Sequence, residues 1–343
     1  MGSVILLDGT KKQYKANLHS HSTLSDGNLT PEEMKAAYRE KGYDILAITD
    51  HCRPTDHSAL SEPDFLMLTG YEAYIRTTNG KHDAFKPETH LNLIARDPKN
   101  LKYICYNKGY CKYLPEEEHG RLDRVGSERP REYTTEYINE FIRTAKEHGY
   151  LVTYNHPFWS MESEERILSY EGCFSLELYN TDSRLTNRLE NAEPLYDVML
   201  RRGIRIGCHG ADDNHNKHPL DSRECDSFGG HTRILADELS YESVIDALDR
   251  KEFYASTGPV IKEIAVSDGE EGKVVRIRCS DADQVFLFFG SKAPKRVTSK
   301  PGEEMTEVTL PLHEKAQFIR VTVYGKDGGV ANSRGYFPEE WEA

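Results

Sequence analysis

Short apolar runs alternate along most of the chain with longer stretches in which apolar residues recur at helical spacing. Tyr14–Leu18, Tyr43–Ile48, Phe65–Leu68, His90–Ala95, Tyr150–Tyr154, Cys173–Leu178 and Arg205–Cys208 read as buried strands. Thr30-Pro31-Glu32-Glu33 opens a helix with a side-chain cap and a proline in its first turn, and Lys41-Gly42 ends it. Thr134–Lys146 and Glu193–Arg202 are further helices. Strand and helix in alternation predict a mostly parallel sheet, open or closed into a barrel. Residues 97–130 interrupt the rhythm and are expected to be a long insertion, either a lid or a mobile connection. Past Thr257-Gly258-Pro259 the helical spacing stops. Ile261–Val266, Lys273–Cys279, Gln284–Phe289, Glu307–Leu312 and Gln317–Tyr324 follow as strands separated by turn residues. The expected division is residues 1–257 as an α/β domain and 258–343 as a smaller antiparallel β domain, sandwich-like in type.

Composition narrows the function. Hydrophobic residues at 37% of 343 suffice for a core, and a formal net charge of −13 disfavours a duplex nucleic-acid partner, whose phosphates need a basic face. The same charge does not exclude a small anionic substrate, because bound divalent cations invert the local field. The seven cysteines are scattered without a C-x-x-C pair, which reads as reduced thiols in a reducing compartment. The run Val4-Ile-Leu-Leu7 is too short for a signal peptide, and no stretch approaches the roughly 18 apolar residues of a membrane span. A cytoplasmic protein without membrane association is expected, with oligomerisation left open.

The chemistry lies in where ligand-type side chains fall. His19, His21, Asp50, His51, Glu72, His156, Asp213 and His215 are each expected just beyond the C-terminal end of a strand, with His90 opening another. In α/β barrels and open parallel sheets that rim is where loops converge on a rigid scaffold. Each piece alone has a plainer reading. An H-x-H is usually a core or solvated pair, Asn155-His156-Pro157 a turn, and Asp213-x-His215 an Asx-turn with a surface histidine. Their conjunction is what points to metal. His19, His21, Asp26, His51, Glu72, His90, His156, Asp213 and His215 are nine candidate ligands, more than one tetrahedral ion can use. Imidazole and carboxylate suit two or three divalent ions such as zinc, manganese or iron.

As an ordered set, His19-Ser-His21 with Ser25-Asp26-Gly27, Thr49-Asp50-His51, Gly70-Tyr-Glu72, His90, Asn155-His156-Pro157 and Asp213-Asn-His215 resembles the motifs of the PHP (polymerase and histidinol phosphatase) superfamily of metal-dependent hydrolases. Leu176-Glu-Leu-Tyr-Asn180 and Phe253-Tyr-Ala-Ser-Thr-Gly-Pro259 resemble its two-domain branch, which includes hydrolases of the carbaryl hydrolase type. The resemblance implies an α/β fold, a distorted (β/α)7 barrel, carrying a C-terminal β domain. It also implies three metal positions: His19, His21, Glu72 and Asp213; Glu72, His90 and His156; and Asp26, His51 and His215.

The expected reaction is hydrolysis of a small phosphate mono- or diester by a hydroxide bridging two metals. A carboxyl or carbamate ester is the alternative for the same centre. A metal-stabilised binding protein without turnover is the alternative of another class. His231 is the candidate proton donor or substrate contact, or else a polar loop histidine; Arg184, Arg188 and Arg233 are candidate phosphate clamps and Arg53 directly follows the metal loop, a solvated surface role being the plainer reading of each arginine. Asp50 and Asn180 are expected to orient ligand imidazoles, and Glu177 either to do the same or to be a buried partner for an arginine. His57, His82, His119, His218 and His313 are expected at the surface.

Overall fold

The computed structural model describes residues 2–78 and 80–342. One sheet of thirteen strands runs through both parts of the chain. Its first seven strands, in spatial order, are Gly207–Ala211, Ser175–Asn180, Tyr150–Tyr154, Glu88–Ala95, Leu66–Arg76, Ile45–Ile48 and Lys12–Asn17. His231–Ala236 and Phe253–Ser256 come next. The sheet curls until Thr232 Oγ1 donates to the Gly210 carbonyl at 2.9 Å, bringing the first strand against the eighth. Gly210 permits that approach, since a Cβ there would lie 2.9 Å from the His231 carbonyl.

Local chemistry explains the elements. Ile45–Ile48 is apolar and wholly buried, as a strand covered on both faces must be. Pro31–Glu40 starts at Thr30, whose side chain accepts from the Glu33 amide while Glu33 reaches back to the Thr30 amide. It stops where Gly42 takes φ +70°. Thr135–Glu147 sets Ile138, Phe141, Ile142 and Ala145 into the core formed with Leu93, Val152 and Tyr150.

The expected mostly parallel order is only partly met. Glu88–Ala95 pairs antiparallel with both Leu66–Arg76 and Tyr150–Tyr154, because the chain turns back as a hairpin instead of crossing over through a helix. Only a single 3-10 turn, Ser58–Leu60, lies between Ile45–Ile48 and Leu66–Arg76. The barrel is therefore a mixed one.

In the C-terminal region, Val4–Leu7, Ile261–Gly269, Gly272–Cys279 and Glu307–Pro311 form a four-stranded sheet. It packs over Ala282–Phe288 and Arg320–Gly325 of the large sheet through Ile264, Val266, Ile277, Leu287, Val321 and Val323. Val4–Leu7, which the sequence reading assigned to no strand, is thus an edge strand of the β region. Arg320, almost wholly buried, reaches Glu193 and Asp197 of the helix Glu193–Arg201 at 2.9 Å each and so joins the β strands to the barrel's flank.

Candidate metal centre

Six separate stretches deliver the nine candidate ligands to one place. His19 and His21 follow directly on Lys12–Asn17, and His51 follows on Ile45–Ile48. His156 lies just past Tyr150–Tyr154, and Asp213 and His215 just past Gly207–Ala211. Glu72 does not sit beyond a strand end. The strand expected to stop near Leu68 continues to Arg76, so Glu72 projects from its middle. His90 is likewise the third residue of its strand, which Glu88 opens. The hairpin accounts for both corrections, because it lets two long strands lay inward-facing residues alongside the strand-end loops.

Short distances between like groups mark the centre. His19 Nε2 and His21 Nε2 face each other at 3.3 Å, and each lies 3.0 Å from Asp213 Oδ1. Glu72 Oε1 lies 3.2 Å from His19 Nε2, 3.0 Å from His90 Nδ1 and 3.4 Å from His156 Nε2. Glu72 Oε2 lies 2.8 Å from His51 Nδ1, yet neither atom has an aligned hydrogen bond. Asp26 presents Oδ2 to His51 Nε2 at 3.7 Å and Oδ1 to His215 Nε2 at 3.5 Å. The donor atoms fall into groups able to hold a cation: His19, His21 and Glu72; His19, His156 and Asp213; Glu72, His90 and His156; and His21, Asp26, His51 and His215.

Buried polar atoms normally find partners. Here Asp26 Oδ1, His51 Nδ1 and Glu72 Oε2 have none, and two ring nitrogens point at one another. Cations between these atoms would satisfy them all, so the donor set fits divalent metal. Electrostatics agrees. Burial alone would raise the Glu72 pKa, but His90, His19 and His51 drive it well below the carboxylate range. Burial opposes a charge on His19, yet Asp213, Glu72 and Glu177 raise its pKa well above the ordinary imidazole value. The acids and imidazoles are strongly coupled, as groups built around shared positive charge would be.

The surroundings orient the ligands. Asp50 accepts from the Ser22 amide at 2.8 Å, the Ser22 hydroxyl at 2.6 Å and the Ser25 hydroxyl at 2.5 Å, shaping the loop that presents Asp26. Gly27 is required in that loop because a Cβ would collide with the His21 carbonyl. Asn180 donates to Asp213 Oδ2 at 3.2 Å and to Glu177 Oε1 at 2.8 Å. His156 and Asp213 hold positive φ, +22° and +55°, a strain of the kind retained at functional positions.

The cluster does not include the other residues singled out from sequence. No described hydrogen bond, ion pair or ring contact of His231, Arg184 or Arg233 reaches any of the nine. His231 packs edge-on against Tyr43, 6.2 Å between centroids. Burial, then Arg233 and Lys15, push its pKa down to about 3, so it is a neutral imidazole near pH 7. Arg53 donates to the Leu24 and Tyr113 carbonyls at 3.0 and 3.1 Å and braces loops. His57 and His119 are buried rather than at the surface; His119 donates to or accepts from Tyr106 Oη at 3.2 Å and faces the Leu114 carbonyl at 3.1 Å.

Several neighbours escaped sequence reasoning. Glu88 Oε1 stands 3.4 Å from His90 Nε2, a relation hinted at by the Glu-x-His spacing. Trp159 lies edge-on to His156 and His90, with centroids 4.9 and 5.4 Å apart. Asp182 and Asp226 group with His215, and Tyr113 donates to Asp26 Oδ2 at 3.0 Å from within the insertion.

Residues 17–149 match the family model described as PHP domain. The matched segment contains six of the nine ligand candidates, with His156, Asp213 and His215 beyond it. Among solved structures, the chain is similar to a two-domain protein from Bacteroides vulgatus containing a predicted PHP-like metal-dependent phosphoesterase. That pair shows 16% identity and a TM-score of 0.46, covering 96% of each chain. A protein from Bifidobacterium adolescentis described as a metal-dependent phosphoesterase matches at 16% identity and TM-score 0.39, over 60% of this chain and 90% of that one. An amidohydrolase from Chromobacterium violaceum matches at 14% and 0.37, over 58% and 87%. The comparison with curated proteins gives no match.

Proposed function

We propose that this PHP-domain protein is a metal-dependent hydrolase acting on a small phosphate mono- or diester. The observation that carries the reading is the pair His19 Nε2 and His21 Nε2, 3.3 Å apart with Asp213 Oδ1 3.0 Å from both. Such a buried arrangement is stable only with positive charge among the donors. His19, His21, Asp26, His51, Glu72, His90, His156, Asp213 and His215 would hold two or three divalent ions, zinc, manganese or iron. When bound, such ions supply a nucleophile at neutral pH and neutralise charge developing on the ester's oxygens.

The chain's own groups orient that centre. Glu177 accepts from His19 Nδ1 and the His156 amide, each at 3.2 Å, turning His19 Nε2 inward. Ser160 Oγ does the same for His156, 3.1 Å from Nδ1. The substrate in this reading is a small anion. Residues 258–343, with Val4–Leu7 as an added edge strand, form a second domain that covers the barrel flank. Among the described residues, no helix is long and apolar enough to cross a membrane.

One observation favours a second reading, a carboxyl or carbamate ester. Trp159 stands edge-on beside His90 and His156, an aromatic group suited to contact a flat apolar leaving group. Turnover of p-nitrophenyl phosphate, bis-p-nitrophenyl phosphate and a naphthyl carbamate by metal-loaded protein separates the two. Phosphate-ester turnover abolished by His156→Ala supports the first reading; carbamate turnover alone replaces it with the second.

A further inference from the structure

Exposure within the nine-ligand cluster is uneven. The side chains of His19, His21 and Glu72 have no exposed area, whereas Asp26 is 33%, His215 13% and His51 12% exposed. Asp213 is 11% exposed, so the corner formed by Asp26 with His51 and His215 is the most exposed part of the cluster. The insertion stands at that corner. Tyr113 lies over His51 with ring planes 19° apart and centroids separated by 6.1 Å, and its hydroxyl donates to Asp26 Oδ2 at 3.0 Å. The Lys112 ammonium in turn donates to Tyr113 Oη at 3.0 Å and sits 4.6 Å from that ring's centroid. Lys112 is exposed and, among the described residues, has no carboxylate within ion-pair distance. Lys108 in the same insertion is instead paired with Glu116 at 2.6 Å.

Position is not accidental here. Arg53, the second residue after His51, ties the Tyr113 carbonyl to the Leu24 carbonyl of the Asp26 loop, so the insertion and the ligand loop move together. Tyr110 and Tyr106 bury the base of the insertion with Cys52 and Tyr74, anchoring it from below. A free ammonium is thereby held beside the exposed Asp26 corner of the cluster. It would attract an anion arriving from solvent and stay in reach of it.

We propose that Lys112 and Tyr113 are specificity-determining residues that contact the anionic group of the substrate at the mouth of the metal centre. The inference rests on the phosphoesterase reading and names the residues that select an anion over a neutral ester. Lys112 supplies a mobile positive charge. Tyr113 supplies a hydroxyl that can turn from Asp26 to a substrate oxygen.

The test is calorimetric titration of metal-loaded protein with inorganic phosphate, together with KM and kcat for a phosphate ester. Lys112→Met is expected to weaken phosphate binding roughly tenfold and to raise KM by a similar factor at little change in kcat, as for loss of one charge-assisted contact. Its phosphate affinity should also depend less on salt. Tyr113→Phe weakens binding by a smaller factor, and Lys108→Met, the control within the insertion, leaves it within twofold. Phosphate affinity unchanged in Lys112→Met, or lost equally in Lys108→Met, overturns the inference while leaving the phosphoesterase reading intact. Parent protein of full metal content that binds no phosphate overturns both.

Discussion

Glu177 Oε2 lies 3.2 Å from His19 Nδ1, on the far side of the ring from the Nε2 that meets Glu72 and Asp213. A carboxylate on Nδ1–H fixes the tautomer and leaves the Nε2 lone pair for a cation. The same oxygen accepts from the His156 amide, so one side chain sets two candidate ligands.

Glu177→Gln is therefore expected to weaken metal binding by roughly 10- to 100-fold with the fold retained. Competition titration against a chromophoric chelator measures this. Unchanged metal affinity would mean that Glu177 serves packing alone.

Glu162 has an analogous task at the base of the His156 loop. Its carboxylate accepts from Thr89 at 2.5 Å, Tyr133 at 2.8 Å, Tyr170 at 2.5 Å, and also Tyr154. Thr89 precedes His90, so the network joins both ligand-bearing segments. Glu162→Gln puts an amide donor among four hydroxyl donors and leaves at least one unsatisfied. A loss of about 1–3 kcal/mol in urea unfolding is expected. An unfolding midpoint equal to the parent's would show that the hydroxyls find other partners.

Acid should destabilise the protein partly through His231. Burial, then Arg233 and Lys15, lower its folded pKa to about 3, below the ordinary 6.5. A neutral buried imidazole contributes its full share above pH 6.5 and loses it as pH falls from there toward 3. The quantity to measure is the difference in unfolding free energy between parent and His231→Gln, which cancels the titration of the ligand cluster. That difference should shrink steadily from pH 7 to pH 5. A difference independent of pH would mean that His231 protonates freely in the folded chain.

Much of the centre was legible in the sequence because ligand types cluster at strand ends, where apolar runs stop abruptly. His19, His51, His156 and Asp213 follow that rule. Glu72 and His90 break it: the hairpin Leu66–Arg76 with Glu88–Ala95 is buried on both faces and carries no periodic sign of its length or direction. Val4–Leu7 gave no strand signal because its partner, Ile261–Gly269, lies far along the chain. Tyr113 has no local signal at all, since it reaches the cluster only through the tertiary path of the insertion. His231, singled out between glycine and threonine, opens a strand that turns its ring toward Tyr43.

If divalent cations sit among the nine donors, metal content is the direct test. Protein prepared without chelator, or reconstituted with zinc, manganese or iron, should retain two to three equivalents by elemental analysis. His19→Ala and Asp213→Ala should each lower that number by about one, because both residues belong to groups of donors shared between positions. Fewer than one equivalent of any divalent ion after reconstitution would contradict the account.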